Sequence, residues 1–464
     1  MTYINSYLDR WRQLNVAARL YLVHAGLLTG SLALYGTFFN FAIPALGFDL
    51  SFLGLLQTAS IAVAAVLSLP LWWLVTRIGL RQSLILNALL QAAGVLMTAI
   101  RPQAAPLLLG VALTGAAATI FQVSSPPFMM EQSDDATRDH LFSANTAVNI
   151  GFAGVMTFFA GDLKLWLATW LHVGAESGLA YRATFAVAGL GLVLAIVPLL
   201  MIPRRASQSI DLAQTDTHAA RSQPLGERHA DTAFDDEPRS WVNAVPVFAS
   251  LVRRLPPNIR RLVRHPMTVL PLLLSPLLVS FGAAALIVYL NLFFRQRFGI
   301  NDIEVGRILA ILGIATGVAA LAGPMISTRI GKAPTIVLTQ LLSIPFLLML
   351  GFVPVLGIAV GAALVRGALF NMGSPLYDAF AMERTEESAR PIVIGLINGA
   401  YTVGYLVSPK ISTWVQVQYG FAPLFIATAL FYAAAALVNY VLFVRRRPHG
   451  YTTYEPQSSS EFGG

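Results

Sequence analysis

The chain has 464 residues, 56% of them hydrophobic and only 12% charged, with a formal net charge of +8 and no cysteine. A soluble globular chain carries about 25% charged residues, so this deficit excludes an ordinary soluble domain and points to a membrane protein. Without cysteine there is no disulfide and no thiolate metal site.

Residues 1–19 are polar and carry Arg10, Arg12 and Arg19, with no cleavable signal before the first apolar run. Tyr3, Tyr7, Trp11 and Leu14 suit either a short helix on the inner membrane surface or a frayed tail. Twelve apolar runs follow, near 20–44, 52–75, 83–100, 105–130, 141–161, 183–202, 267–293, 304–326, 334–352, 355–381, 391–413 and 421–444. Roughly 20 such residues cross a hydrocarbon core about 30 Å thick. Lipid satisfies no backbone hydrogen bonds, so each span must be helical and the fold class is an all-α polytopic membrane protein.

With the N-terminus in the cytoplasm, six of the 31 Lys and Arg fall in outer loops: Arg101, Lys164, Arg182, Arg295, Arg297 and Arg307. Arg366 and Lys410 lie within spans, and the rest are on the inner side. This bias matches the positive-inside rule, which places both termini in the cytoplasm and the chain in the cytoplasmic membrane. The basic balance therefore reports topology and gives no reason to infer nucleic acid.

The first span carries Tyr35 and Asn40 toward its outer half. His24, a turn inside the inner interface, reads as a hydrated interfacial histidine, with a proton-carrier role as the alternative. The second span ends at Thr76-Arg77-Ile78-Gly79, and the same tetrapeptide returns 252 residues later as Thr328-Arg329-Ile330-Gly331. That offset also pairs the stretch from Phe128 to Arg138 with the stretch from Phe380 to Arg390. Phe, Met, Glu, two acids and Arg stay in register between them. Gly30 pairs with Gly282, Gly47 with Gly299, Gly54 with Gly306 and Gly115 with Gly367. The chain reads as an internal duplication, two repeats of six helices each.

Twelve spans in two repeats, with Arg-x-Gly and further basic residues after spans two and eight, resemble the major facilitator superfamily. The loop pattern of that family is Gly-x-x-x-Asp-Arg-x-Gly-Arg-Lys. Here Thr76 and Thr328 stand in place of the Asp, and Trp72 and Pro324 in place of the first Gly. Pro126-x-Phe128-x-x-Glu131 followed by Arg138 is similar to the pattern after the fourth span of sugar porters. The second copy keeps Phe380, Glu383 and Arg390 but has Asp378 for the Pro. The resemblance implies a secondary transporter whose two bundles rock about a central site.

Residues 1–205 and 265–450 are expected as the two bundles. In the outer loop 162–182, Leu163, Trp166, Leu167, Trp170 and Leu171 recur as in a helix resting on the outer interface. The linker 206–264 opens polar and disordered. It then alternates Trp241, Val245, Phe248, Leu251 and Leu255 with arginines, as in an amphipathic helix on anionic inner-leaflet lipid. Residues 451–464 are a polar tail.

One cation stands in the tenth span. Counted from Val355, Arg366 lies about 16 Å deep, near the midplane. A cation there costs at least ~2.5 kcal/mol and persists only against protein or a water-filled cavity. No Asp or Glu lies at that depth in any span, and the matching position of the first repeat is Thr114. Arg366 therefore reads as the anchor for an anionic group on a solute, the alternatives being helix-carbonyl capping or a cation–π contact. Its helical face continues through Phe370 and Gly373 to Tyr377. Asn398, Tyr401, Thr402 and Tyr405 form a polar stripe on the next span, and Asn371 joins Tyr377, Asn398 and Tyr401 as hydrogen-bonding candidates. Gln122, Asn149, Tyr289 and Asn291 are weaker candidates, equally readable as contacts between helices.

The repeated inner clusters suit a gate. Arg77 with Glu131 and Arg329 with Glu383, flanked by Arg138 and Arg390, would clamp the inner ends in one state and release them in the other. No phosphate-binding Gly-x-x-x-x-Gly-Lys-Ser/Thr and no His-Glu-x-x-His motif occurs, so no enzyme, cofactor or metal is expected. The sequence thus reads as a monomeric secondary transporter of a small anionic or zwitterionic solute. Coupling to protons stays open, because no span holds a buried carboxylate. The alternatives are a proton-coupled exporter of lipophilic compounds and a non-transporting scaffold or assembly factor.

Overall fold

The computed structural model describes residues 14–134, 137–202, 266–320, 323–385 and 390–445, all helices and short connections with no strand among them. The surface helix expected before residue 14, the linker 206–264 and the tail 451–464 lie outside the described residues.

Twelve helical elements follow one another. The first half holds α1 (Val16–Ala45), α2 (Leu50–Ile78), α3 (Leu80–Ile100), α4 (Ala104–Glu131), α5 (Arg138–Trp170) and α6 (Gly178–Leu194, resuming as Ile196–Met201). In the second half, α7 is Pro266–Leu286 joined through the 3-10 turn Ile287–Tyr289 to Leu290–Phe298, and α8 is Asp302–Ala320 with Gly323–Ile330. They are followed by α9 (Lys332–Phe352), α10 (Leu356–Glu383), α11 (Arg390–Tyr419) and α12 (Ala422–Asn439, ending in a π turn). Among the described residues, ten helices are long and apolar enough to cross a membrane. The two outside that number are α8, with Asp302, Glu304 and Arg307 at one end, and α11, diluted by its polar stripe and Lys410.

The duplication appears in the boundaries themselves. The ends of α2, α3 and α4 recur 252 residues later as the ends of α8, α9 and α10. Gly79 and Gly331 turn the same one-residue corner, at φ 85° ψ 160° and φ 90° ψ 158°. A side chain is strained at such a φ, which is why the repeated tetrapeptide ends in glycine.

Within the first half α3 packs on α4, α1 on α5, and α6 on α1 and α3; within the second, α7 packs on α11 and α12, and α9 on α10 and α12. The halves meet where α5 crosses α8 and where α2 crosses α11. Glycines permit the closest approaches. A Cβ on Gly404 of α11 would collide with Ser280 of α7 and sit 2.6 Å from the Phe281 backbone nitrogen. Backbone cannot yield as a side-chain tip can. Gly404→Val should therefore destabilise by about 1–3 kcal/mol or more, read as a lowered melting temperature in detergent.

Helix ends are closed by side chains from distant elements. Asn15 caps α1, its side chain accepting from the Ala18 amide at 2.6 Å. Arg81 donates to the Leu199 and Leu200 carbonyls at the end of α6, and Arg182 to the Ala99 and Ile100 carbonyls at the end of α3.

Two expectations are corrected. The aromatic outer segment is no separate surface helix; α5 continues unbroken to Trp170, with Lys164, Leu167 and Ala168 buried and Trp166 and Trp170 exposed. His24 is not hydrated but fully buried, its Nδ1 donating to the Ala195 carbonyl at 2.7 Å. The acceptor lies where α6 is interrupted, Ala195 ending one helical segment and opening the next, and it satisfies the buried imidazole N–H.

Candidate functional site

Arg366 points into the second half from α10. Its Nη2 donates to the Tyr432 hydroxyl of α12 at 2.6 Å, and its guanidinium carbon lies 5.2 Å from the centre of the Phe370 ring, four residues along the same face. The Phe370 and Tyr432 rings stack 4.8 Å apart. The side chain is 7% exposed and its Nε has no hydrogen-bond partner. Among the described residues no carboxylate pairs with it. A desolvated cation is thus held by aromatic faces and one neutral hydroxyl, with donor capacity left over.

The same face carries Tyr377, whose hydroxyl donates to the Leu272 carbonyl at 2.8 Å. Phe370, Gly373, Tyr377 and Tyr401 bound a cavity of about 20 Å³ with Ser275 and Gln340, enough for a single water. Arg366, Tyr377 and Tyr401 therefore share one interior region. Asn371 and Asn398 do not join it; both are exposed, and the Asn371 amide donates to the Gly367 carbonyl of its own helix at 2.8 Å.

A larger cavity, about 460 Å³, lies between the halves. Its polar lining is uncharged: Tyr35, Asn40 and Gln57 from the first half and Asn291 from the second are among the residues that bound it. Thr114, the partner of Arg366 in the duplication, also lines it. Asn40 donates to the Val288 carbonyl at 2.7 Å and to Asn291 Oδ1 at 2.8 Å, and Asn291 donates back to the Thr37 carbonyl at 3.1 Å. Val288 is the centre of the 3-10 turn that breaks α7.

Beyond this seam, at the ends that the charge bias assigns to the outside, the halves are tied by ion pairs. Lys164 of α5 pairs with Asp302 at the start of α8, their side chains 3% and 4% exposed. Asp302 also accepts from the Tyr181 hydroxyl at 2.8 Å and lies 3.2 Å from Arg295. Arg295 reaches back across the interface to Glu176 at 2.6 Å, and Arg307 to Asp162 at 3.4 Å. Two cations and two acids therefore interlock around Tyr181, each half supplying one of each sign.

Sequence reasoning counted Lys164, Arg295 and Arg307 as loop charges. The missed signal was their pattern: Asp162, Lys164 and Glu176 cluster at the α5–α6 junction of the first half, and Arg295, Asp302 and Arg307 at the α7–α8 junction of the second, with both signs in each group.

At the inner ends the pairing differs from expectation. Glu383 pairs with Lys332, not Arg329, because the glycine corner brings the first residue of α9 to the end of α10. Arg77 lies over the Trp73 ring at 5.0 Å rather than on Glu131, which keeps one buried carboxylate oxygen without a hydrogen-bond partner. Arg138 opens α5, and Arg390 opens α11 at the corresponding place; the Arg390 side chain is outside the described residues.

A profile described as Major Facilitator Superfamily matches residues 25–409 and 272–458. No curated protein matches the sequence. Among solved structures, a bacterial homologue of the human lysosomal transporter Spinster, inward-facing and unoccupied, superimposes with a TM-score of 0.66 at 14% identity over 92% of this chain and 94% of its own. A D-xylose–proton symporter gives 0.66 at 16% identity over 91% and 97%. A nucleoside transporter gives 0.61 at 14% identity over 91% and 100%. At such identities the likeness is one of fold; the profile, which spans both repeats, goes further, and the chain belongs to the Major Facilitator Superfamily, a multi-pass membrane protein of transporter type.

Proposed function

We propose that the protein is a secondary active transporter that moves a small anionic or zwitterionic solute across the cytoplasmic membrane by alternating access, here with its outer end shut. The observation that carries the reading is the cavity between two repeated halves, closed on one side by ion pairs that each half contributes to equally. Such contacts can separate and re-form while each half keeps its own packing. Arg366 supplies the anion chemistry. A guanidinium away from water, with an unpartnered Nε, binds carboxylate or phosphate by charge-assisted hydrogen bonds. Thr114, its counterpart in the internal repeat, lines the interface cavity, while Arg366 itself lies off that lining, against Phe370 and Tyr432. Tyr377 and Tyr401 would contribute from the interior, Asn371 and Asn398 from the exposed faces. When the outer ends part, the inner residues Arg77, Glu131, Arg138, Arg329, Glu383 and Arg390 would close the other side. Charge pairs, rather than a covalent step, do the work; no cofactor or metal is needed.

The absence of native cysteine makes the test direct. Single cysteines at Asn371 or Asn398 should react with a membrane-impermeant maleimide from either side, in proportions that shift when solute is added. A fixed, one-sided pattern would identify a scaffold with a transporter's fold.

A further inference from the structure

We infer that Asn40, Asn291 and Gln57 form an uncharged latch between the halves, and that the cavity below it takes a neutral hydrogen-bonding part of the solute, hydroxyl or amide, which controls the outer end by competing for that latch. The inference rests on the transporter reading and adds a second site to it.

The latch is fully committed. Asn40 spends both amide hydrogens on the second half, on the Val288 carbonyl and Asn291 Oδ1, and its own oxygen accepts from Gln57 Nε2 at 3.1 Å. Asn291 Oδ1 also accepts from the Leu292 amide at 2.9 Å. The Val288 carbonyl is available only because α7 breaks into a 3-10 turn there, and Asn40 caps it from the opposite half. Non-helical backbone at membrane depth persists where it meets protein or a cavity, and here it meets both.

Capacity left over points into the cavity. Gln57 has one amide hydrogen and its carbonyl oxygen outside the latch, and the Tyr35 hydroxyl reaches Thr98 only at 3.5 Å. Each combines a donor with an acceptor, as hydroxyl and amide groups do. No charged side chain lines the cavity, so an ionised group there would have no counter-charge. Its volume of about 460 Å³ lies within the ordinary range for small-molecule sites. A ligand that takes the Gln57 amide leaves Asn40 Oδ1 without the donor that orients it, and the two cross-half bonds that Asn40 makes through Nδ2 lose that support.

The experiment uses the full chain in sealed vesicles with Gly36→Cys, a cavity-lining position where an added Cβ meets nothing within 4 Å. A membrane-impermeant maleimide is applied from the outer side. Asn40→Ala and Asn291→Ala should each raise the labelling rate about tenfold, the effect of losing two cross-half hydrogen bonds. Sorbitol, neutral and hydroxyl-only, should slow labelling more than acetate at equal concentration. It should do so equally in Arg366→Met, but not in Gln57→Leu. If Asn291→Ala leaves labelling unchanged while Asp302→Asn raises it, the latch is overturned and the charge-gated transporter stands. If neither substitution changes labelling, both readings fall. Protection by acetate equal to that by sorbitol, or none by sorbitol, overturns the neutral site.

Discussion

Asp302→Asn is expected to swing the outer end open. The substitution removes the acid paired with Lys164, whose side chain is 3% exposed in the closed form. An uncompensated buried charge costs about 3–5 kcal/mol, and every 1.4 kcal/mol is tenfold in an equilibrium constant. Once the halves separate, Lys164 meets water and the penalty disappears, so the open form should gain by about two to three and a half orders of magnitude. Arg295 does not rescue the closed form; it carries the same sign as Lys164 and retains Glu176. Spin labels at Trp166 and Arg297, both exposed and on opposite halves, should report a longer distance in the variant. The exchange Lys164→Asp with Asp302→Lys should restore the short one. An unchanged distance in Asp302→Asn would remove this pair from gating.

Arg366→Met should sharply weaken uptake of an anionic solute into vesicles while leaving the fold intact. Methionine keeps a flexible apolar stem against the Phe370 ring, and replacing a buried ion with an apolar side chain of similar length is often neutral for stability. Pairing it with Tyr432→Phe removes the hydroxyl that would otherwise lose its partner. A hydrogen bond to a charged group is worth about 1.5–3 kcal/mol, so the apparent affinity should fall by about 10- to 150-fold. Arg366→Lys keeps the charge but loses the planar fork, and should fall between the two. Wild-type rates for anionic solutes in both variants, with unchanged melting temperatures, would take Arg366 out of the mechanism.

The fold was legible because its signals are local and repeated. The Thr-Arg-Ile-Gly pair requires a left-handed corner at its glycine, and the corner recurs at Gly79 and Gly331. The lone cation of the tenth span was legible for the same reason: length and hydropathy alone give its depth. What stayed hidden depends on partners far along the chain. Lys164, at the edge of its apolar run, reads as an outer-loop charge until the crossing of α5 and α8 puts it on Asp302. His24 could not be read as buried, since its acceptor, the Ala195 carbonyl, lies 171 residues away in the chain. Glu383 shows the limit of register: the repeat places it level with Arg329, but a one-residue turn gives it to Lys332.

The far end of α5 has two faces of opposite character. One buries Lys164 in the ion-pair network; the other presents Trp166 and Trp170, 63% and 68% exposed. Indole rings settle at the headgroup layer and resist displacement in either direction. In the proposed transport cycle, unlocking Lys164 would tilt this helix and carry its two indoles through that layer, which would tie the balance between closed and open forms to the thickness of the surrounding bilayer as well as to the solute.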